Sequence, residues 1–435
     1  MSTNLEHLWM PFSANRGFKS EPRLMNEAKG MYYKKLDGTK VMDGTAGLWC
    51  CNAGHGNEKI VKAIQDQAAK LDFAPSFQMG HPLAFEAAEK LLSIAPSNDF
   101  QYTFFTNSGS EAVDTALKIA LGYQHHRGKT DKTILIGRER AYHGVGFGGI
   151  SVGGLPLNKK HFSLLPSVDH ICATHNLEKN AFSKGQPEWG KELAEDLLQV
   201  IEKHGADKIA AFITEPLAGS TGVLVPPKGY LERIREICTQ NDILLIFDEV
   251  ITGFGRLGAP FAAQYFDVEP DMITCAKGLT SGTIPMGAVL VKKEIYDAFQ
   301  DGDANSIDLF HGYTYSAHPM AAAALIASLD VYTEDNLFER TNELASYWED
   351  ALHSLKGTSH VIDIRNLGLV AGIEMSPREG SPGTRGYDVF TDGFHNHNLL
   401  LRITGDTLAL SPPLIVEKDH IDQIVETLKV IIPNH

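Results

Sequence analysis

Cysteine is scarce in this sequence, which contains five among 435 residues. An odd number of cysteines without C-x-x-C spacing argues against a disulfide framework, a zinc site or a dithiol redox motif. The eighteen histidines include no H-E-x-x-H or comparable grouping, so no metal site is expected. A reducing, cytoplasmic compartment is the setting that this composition predicts.

Long apolar runs and clusters of basic residues are also missing. The longest apolar run, residues 320–329, is about half of a membrane span, and the N-terminal segment has no basic stretch followed by an apolar core. We therefore predict neither a transmembrane helix nor a signal peptide. The net charge of −15 and the lack of clustered Lys and Arg argue against nucleic acid or an anionic membrane as a partner.

Short apolar runs alternate along the chain with segments of helical periodicity. The strand-like runs are 102–105, 133–136, 209–213, 243–247 and 272–275, and their continuous apolar character is typical of strands covered on both faces. The helical faces are Ile60/Val61/Ile64/Ala68, Leu193/Leu197/Val200/Ile201 and Leu231/Ile234/Ile237/Cys238. This alternation predicts an α/β fold with a mostly parallel sheet and a functional crevice at the carboxyl ends of its strands.

The two ends of the chain differ from the middle. Residues 1–50 and 320–435 mix short strands, a long helix that begins at Ala321 and a loop rich in Gly, Pro and Ser. We expect them to combine into a smaller α+β domain, packed on a large domain formed by residues 51–319.

A polar segment follows the run 102–105 and precedes a helical pattern over 112–121. Ser108 and Glu111 stand in capping-box spacing, so this segment is consistent with a well-capped helix. The amides of Gly109 and Ser110, together with the helix dipole, are equally consistent with an anion site suited to a phosphate.

Two ionisable residues follow buried strands further along the chain. Asp248 ends the run 243–247, and a buried carboxylate needs a partner, which a helix N-terminus, an arginine or a protonated cofactor nitrogen could provide. Lys277 lies 29 residues further on, as 277 − 248 gives, a spacing that can place both at neighbouring strand ends. A desolvated lysine there could form a Schiff base, whereas an isolated lysine more often extends to solvent.

An aromatic pair, Tyr142 and His143, comes shortly after the run 133–136 and could lie against a flat heterocycle. A phosphate cradle, an aromatic face, a carboxylate and a lysine are the parts that pyridoxal phosphate (PLP) requires. Each is a weak signal alone, but their combination favours a PLP enzyme.

The sequence resembles the class III PLP-dependent aminotransferases in long stretches. The segments LLIFDEVITGFGRLG (244–258) and CAKGLTSGTIPMGAV (275–289) resemble the family signature, and TNSGSEA, AYHG, TEPLAGSTG and HGYTYSAHP are similar to further family blocks in the same order. The blocks LWMPFS, GLWCCNAGHG and LLLRITGDTLALSPPL most resemble the ω-amino acid:pyruvate (β-alanine:pyruvate) branch. The resemblance implies the fold type I architecture.

The resemblance implies a role for each matching residue. Lys277 would carry the internal aldimine and act as general base, and Asp248 would keep the cofactor ring nitrogen protonated. Gly109 and Ser110 would hold the phosphate, and Tyr142 would stack on the ring. The other positions implied to lie around the cofactor are Ser108, His143, Glu215 and Val250.

The same resemblance implies a dimer and a substrate pocket. Thr314 is similar to a threonine that reaches the phosphate in the neighbouring subunit of a homodimer, and pairing of dimers into tetramers is left open. Arg402 resembles an arginine that binds the substrate carboxylate, and guanidinium is suited to that task. Trp49, Phe12 and Ala218 are similar to residues that line the substrate pocket.

The implied reaction is a ping-pong transfer of an amino group from an ω-amino acid or primary amine to pyruvate. Other class III reactions remain alternatives, including 4-aminobutyrate or diamine transamination and an aminomutase. A cofactor-binding protein without catalysis is disfavoured because Lys277 and Asp248 are both present.

A nicotinamide-dependent oxidoreductase is a further alternative. Residues 144–149 fit G-x-G-x-x-G, and Asp169 follows 20 residues after Gly149. However, the glycines do not directly follow a strand, and residues 151–156 are not expected to begin a regular helix.

Overall fold

The computed structural model describes residues 4–435. The strands are β1 (Glu27–Lys29), β2 (Tyr32–Lys34), β3 (Lys40–Asp43), β4 (Phe100–Thr106), β5 (Ile134–Arg138), β6 (Val168–Ile171), β7 (Ile209–Thr214), β8 (Leu244–Asp248), β9 (Met272–Ala276), β10 (Gly287–Lys292), β11 (Val361–Leu367), β12 (Val370–Met375), β13 (Leu399–Leu400), β14 (Arg402–Thr404) and β15 (Thr407–Leu410).

The helices surround these strands. They are α1 (Asn15–Ser20), α2 (Ala46–Trp49), α3 (Glu58–Lys70), α4 (Pro82–Leu92), α5 (Gly109–His126), α6 (Phe147–Val152), α7 (Pro156–Lys159), α8 (Leu177–Asn180), α9 (Lys191–Ala194), α10 (Asp196–His204), α11 (Tyr230–Gln240), α12 (Ala262–Phe266), α13 (Lys293–Asp297), α14 (Pro319–Glu334), α15 (Leu337–His353), α16 (Thr384–His395) and α17 (Lys418–Ile431). Short 3₁₀ helices span Ala206–Lys208, Lys277–Thr280 and Ile432–Asn434.

A seven-stranded sheet with the order β4-β10-β9-β8-β7-β5-β6 forms the centre of the molecule. β10 is antiparallel to both of its neighbours, β4 and β9, whereas the pairs β9/β8, β8/β7, β7/β5 and β5/β6 are parallel. All strands except β10 therefore run in one direction. The predicted α/β fold with a mostly parallel sheet is confirmed.

The central strands are apolar because both faces of the sheet are covered. Every residue of β7, β8 and β9 is buried, as expected for a sheet covered on both sides. Each of the five apolar runs identified in the sequence falls within a strand of this sheet, at β4, β5, β7, β8 and β9 or within one residue of it. The sequence prediction did not include β6 and β10.

Helix boundaries depart from the sequence prediction at three places, and one of them is the start of α14, which lies at Pro319 rather than at Ala321. The helix predicted over 112–121 is longer, since α5 begins at Gly109 and ends at His126. The apolar face from Leu193 to Ile201 is divided between α9 and α10, which meet at Glu195. In α11 the predicted face is confirmed, because all four of its apolar residues are buried.

The two ends of the chain pair with each other. β3, near the N-terminus, is parallel to β13, near the C-terminus, in a sheet with the order β1-β2-β3-β13. A second sheet has the order β11-β12-β15-β14. The division into domains at residues 50 and 320 stays a prediction. Between residues 4 and 435, no helix has the length and apolar character needed to cross a membrane.

Candidate active site

A cavity of about 120 Å³ opens at the carboxyl ends of the parallel strands. We call it the strand-end cavity, and its lining residues are Gly109, Ser110, Tyr142, His143, Gly144, Glu215, Asp248, Val250, Ile251 and Lys277. These residues follow β4, β5, β7, β8 and β9, or end β8. The predicted crevice is therefore present, and it brings together the predicted phosphate cradle, aromatic face, carboxylate and lysine.

Lys277 is placed by the end of β9. Ala276 is still extended, and Lys277 turns into the left-handed region with φ 51°, a conformation that is uncommon for a residue with a side chain and that clusters at functional sites. A Cβ atom on Gly278 would lie 2.7 Å from Nδ2 of Asn52. The close approach of Asn52 therefore favours glycine directly after the lysine.

The surroundings of Lys277 favour its neutral form. Burial lowers the pKa of its ammonium group to about 8, since desolvation disfavours the charged form. The Arg402 guanidinium acts in the same direction, and the Asp248 carboxylate opposes it. A fraction of the free amine is therefore present near neutral pH, as a nucleophile requires.

Asp248 is buried at the end of β8, the strand next to β9. Its Oδ2 lies 2.7 Å from Nδ1 of His143, and its Oδ1 accepts a hydrogen bond from the Val250 amide at 3.2 Å. The partner of this carboxylate within the chain is thus a histidine, which the sequence interpretation did not identify. The signal was available, because His143 follows β5 and Asp248 ends β8 at the same edge of the sheet.

Glu215 follows β7 and is buried beside this pair. Its Oε2 accepts a hydrogen bond from the Tyr142 amide at 3.0 Å. Burial raises the pKa of Glu215 to about 7, and the Asp248 carboxylate acts in the same direction. Glu215 therefore fixes the backbone of Tyr142 without a full negative charge at neutral pH.

The N-terminus of α5 forms one wall of the strand-end cavity. Ser108 caps the helix by accepting from the Glu111 amide at 3.2 Å, and Glu111 accepts from the Asn107 amide rather than from Ser108. The side chain of Ser108 does not line the cavity. A Cβ atom on Gly109 would lie 2.9 Å from the methyl groups of Val250, so the backbone approaches the cavity closely at this point.

A second cavity, of about 790 Å³, contains Arg402. We call it the Arg402 cavity, and its lining residues are Met10, Phe12, Ser13, Ala14, Phe18, Arg23, Met25, Tyr33, Gly47, Leu48, Cys50, Cys51, Gly282, Tyr387, Phe390, Phe394, Leu400, Leu401, Arg402 and Ile403. Segments from both ends of the chain build it. It combines apolar walls with two guanidinium groups, as small-molecule sites often do.

Arg402 lies on β14 with its guanidinium carbon 5.7 Å from the ring centroid of Trp49. Its Nη1 is buried and has no hydrogen-bond partner in the part of the chain that is described. Burial lowers the pKa of Arg402, and Tyr142 opposes this shift. Arg402 is therefore close to the strand-end cavity and has a free donor for an anionic group.

Four residues that the sequence predicts for the site line neither cavity, namely Ser108, Trp49, Ala218 and Thr314. Trp49 and Ala218 are buried, with 2% and 0% of their surface exposed, and the Trp49 ring packs against the guanidinium of Arg402. Thr314 is exposed. Their predicted roles stay predictions.

A separate group of ionisable side chains lies between β11 and β12. His175, Asp363 and Glu374 come within 4.8 Å of one another. The Arg365 guanidinium contacts both carboxylates, at 2.5 and 2.6 Å. The cluster is thus an ion-pair network that an arginine already occupies.

Comparison with known proteins places this geometry in a family. The family model described as "Aminotransferase class-III" matches residues 13–432. The chain belongs to the class III aminotransferases. It is similar to the ω-aminotransferase of Caulobacter vibrioides, with 59% identity over 432 residues that cover 99% of this chain and 98% of the relative.

Two further similarities agree with this assignment. The β-alanine–pyruvate aminotransferase of Pseudomonas aeruginosa is 46% identical over 433 residues, covering 98% of this chain and 95% of the relative. The solved structure of the ω-transaminase from Pseudomonas jessenii in complex with PMP has a TM-score of 0.90 and 32% identity, covering 99% of this chain and 98% of that one. The fold type I architecture is thereby confirmed.

Class III aminotransferases depend on PLP, and the strand-end cavity fits this cofactor. PLP has an anionic phosphate, which suits the amides at the start of α5, and a ring nitrogen that needs a carboxylate, which Asp248 offers. It also has an aldehyde, which needs an amine, and Lys277 provides one with a lowered pKa. The residues of this chain therefore match each reactive part of the cofactor.

Family membership overturns the oxidoreductase alternative. The glycines at 144–149 do not continue from β5 into a long helix, since α6 occupies only Phe147–Val152 and is followed by Gly153. Asp169, the acidic residue noted for that alternative, is bound by Lys203 and His204 at 2.7 Å each. Gly144 instead packs against Ser110 and lines the strand-end cavity.

Proposed function

We propose that this aminotransferase transfers an amino group from an ω-amino acid or primary amine to pyruvate. The observation that carries the proposal is the guanidinium of Arg402, which has an unpaired, buried nitrogen in an apolar cavity beside Lys277. A carboxylate on one substrate would bind this group. The names of the two relatives, ω-aminotransferase and β-alanine–pyruvate aminotransferase, support the same substrates.

The residues of the strand-end cavity have distinct proposed tasks. Bound PLP supplies a ring that accepts the electrons of the broken C–H bond. Nζ of Lys277 would remove the proton from the donor carbon and later return a proton. Asp248, oriented by His143, would hold the proton on the ring nitrogen.

The remaining residues would position the cofactor. Gly109 and Ser110 would bind the phosphate, with Ser108 fixing the start of α5, and Tyr142 would lie against the ring. Glu215 would hold Tyr142 through its backbone amide, and Val250 would fill the space next to Gly109. Both substrates would use the site in turn, with Phe12, Trp49 and Ala218 shaping the space around Arg402, so the kinetics would be ping-pong.

We also propose a homodimer in which Thr314 serves the cofactor of the neighbouring subunit. Thr314 is exposed and lies outside the strand-end cavity of its own chain. Large apolar side chains are exposed near it, including Phe77 (57%), Met79 (68%) and Phe310 (87%). A Cβ atom on Gly312 would lie 3.0 Å from the ring of Phe77, so these segments share one surface, and exposed apolar surface of this kind favours association.

A cytoplasmic location is part of the same proposal. Its support is the small number of cysteines, all five of which are free thiols. Such usage is typical of proteins that function in a reducing compartment.

A panel of donors and acceptors tests the proposed reaction. β-Alanine, 4-aminobutyrate, putrescine and a simple primary amine would each be assayed with pyruvate and with 2-oxoglutarate. We expect transfer from β-alanine or the primary amine to pyruvate, with kcat/KM at least about tenfold above that with 2-oxoglutarate. A clear preference for 2-oxoglutarate, or isomerisation of the donor without transfer, would exclude the proposed substrates.

A further inference from the structure

The Arg402 cavity has an unusual charge for this protein. Its twenty lining residues include two arginines, Arg23 and Arg402, and no aspartate or glutamate, although the whole chain has a net charge of −15. A cleft lined by charge of one sign attracts ligands of the opposite sign. The cavity therefore favours anionic substrates over substrates with two ammonium groups.

Arg23 is held in position but not paired. Its guanidinium carbon lies 5.4 Å from the ring centroid of Phe18 and 5.0 Å from that of Phe390. Throughout residues 4–435 it has neither a hydrogen bond nor a salt bridge to another side chain. Aromatic faces restrict a guanidinium without using its N–H donors, so those donors remain available to a planar anion.

The two arginines occupy different parts of the cavity. Arg402 is close enough to Lys277 to influence the pKa of that lysine. Arg23 is instead held between α1 and α16, neither of which contributes a residue to the strand-end cavity. Apolar side chains such as Phe394, Leu400 and Leu401 also line the cavity, and they suit a chain of methylene groups.

We propose that Arg23 binds a distal carboxylate, meaning one that several methylene groups separate from the carbon that exchanges its amino group. The inference rests on the proposed function. Two kinds of substrate carry such a group: a long ω-amino acid, whose single carboxylate would bind Arg23, and a long dicarboxylic amino acid, whose second carboxylate would do so while the first binds Arg402. The shared feature is the distal carboxylate.

The test compares donors that differ in this one group. 8-Aminooctanoate, octylamine, 2-aminooctanedioate and β-alanine would be assayed with the wild-type enzyme and with Arg23→Gln, Arg23→Lys and Arg16→Gln. Arg16 is exposed on α1 and lines neither cavity, which makes Arg16→Gln the matched control. Binding of octanedioate, measured by calorimetry, gives a readout that is independent of turnover.

We expect Arg23→Gln to raise KM for 8-aminooctanoate or 2-aminooctanedioate by roughly tenfold or more, the effect of losing one charge-assisted hydrogen bond. Octanedioate binding should weaken to a similar degree, and Arg23→Lys should restore part of both the KM and the binding. The KM values for octylamine and β-alanine should stay within about twofold of those of the wild-type enzyme. If KM rises for only one of the two acids, 8-aminooctanoate or 2-aminooctanedioate, that acid identifies which kind of substrate uses Arg23.

Two outcomes would overturn the inference. One is an equal loss with octylamine and 8-aminooctanoate, which would show that Arg23 only supports the fold. The other is no change with either acid in Arg23→Gln. Failure of the proposed function would look different, because the wild-type enzyme would then transfer no amino group to pyruvate from any of the four donors.

Discussion

Nδ1 of His143 lies 2.7 Å from Oδ2 of Asp248, and both side chains are buried at the edge of the central sheet. The two residues come from different strand ends, after β5 and at the end of β8. A carboxylate that must face a ring nitrogen needs a fixed orientation, and a histidine at hydrogen-bond distance provides one.

This contact predicts that His143 positions Asp248. His143→Phe should lower kcat by about ten- to a hundredfold and speed loss of PLP, because Asp248 loses a buried partner. His143→Asn, which keeps a donor, should restore part of both. His125→Gln, at an exposed position at the end of α5, is the control. Unchanged kcat and PLP retention in His143→Phe would show that the contact has no role in catalysis.

The lowered pKa of Lys277 predicts a pH dependence for cofactor uptake. Burial lowers this pKa from 10.5 to about 8, so the free amine increases as pH rises towards 8 and is the main form above it. The rate at which the apoenzyme regains activity after addition of PLP should therefore rise about tenfold per pH unit below 8 and level off above it.

Arg402→Met gives this prediction an internal check. The guanidinium lowers the pKa of Lys277, so its removal should move the midpoint of the pH profile to higher pH. A wild-type midpoint near 10.5, or a midpoint that moves down in Arg402→Met, would contradict the described surroundings of Lys277.

Loss of the Arg402 guanidinium should slow the reaction of substrates that carry a carboxylate much more than the reaction of plain amines. In Arg402→Ala we expect the donor half-reaction with β-alanine, measured without keto acid, to slow by roughly a hundredfold, and that with a simple amine to change less than about threefold. The half-reaction with pyruvate should slow by a factor similar to that for the half-reaction with β-alanine. Equal slowing with the amine and with β-alanine would show that Arg402 has another role.

Much of this site could be predicted from the sequence, because its key residues are tied to local patterns. Asp248 and Lys277 follow short apolar runs that are typical of buried strands, and parallel strands place their carboxyl ends together. The capping-box spacing of Ser108 and Glu111 likewise indicated in the sequence that a helix starts next to them.

Other features depend on contacts between distant segments. Three such contacts leave no periodic signal in the sequence. They are the pairing of His143 with Asp248, the packing of Trp49 against Arg402 and the packing of Arg23 between two aromatic rings. The break between α9 and α10 falls at Glu195, where the backbone is still close to helical, so the apolar pattern runs through it unchanged.

Substitution of Thr314 tests the proposed contact between subunits. Thr314→Ala should raise the rate of PLP dissociation by about tenfold, because a hydrogen bond to a charged phosphate is lost, while Thr130→Ala, at another exposed threonine, should have no effect. Mixed dimers of a Thr314→Ala subunit with a Lys277→Ala subunit show whether Thr314 serves the cofactor of the neighbouring subunit or the cofactor of its own chain.

In such a mixed dimer the site with an intact Lys277 receives an intact Thr314 only if the threonine crosses the interface. We expect normal PLP retention at that site. Weak retention would mean that Thr314 acts within its own chain, and a monomeric wild-type enzyme in solution would remove the basis of the proposal.

The most direct test of the account is a single-turnover assay of Lys277→Ala loaded with PLP, with the exposed Lys160→Ala as control. Because Nζ of Lys277 is the proposed proton carrier, transfer of an amino group from β-alanine to the cofactor should fall by at least about a thousandfold. PLP binding should persist through Asp248 and the start of α5. Transfer at the wild-type rate in Lys277→Ala would contradict the central claim that this lysine performs the chemistry.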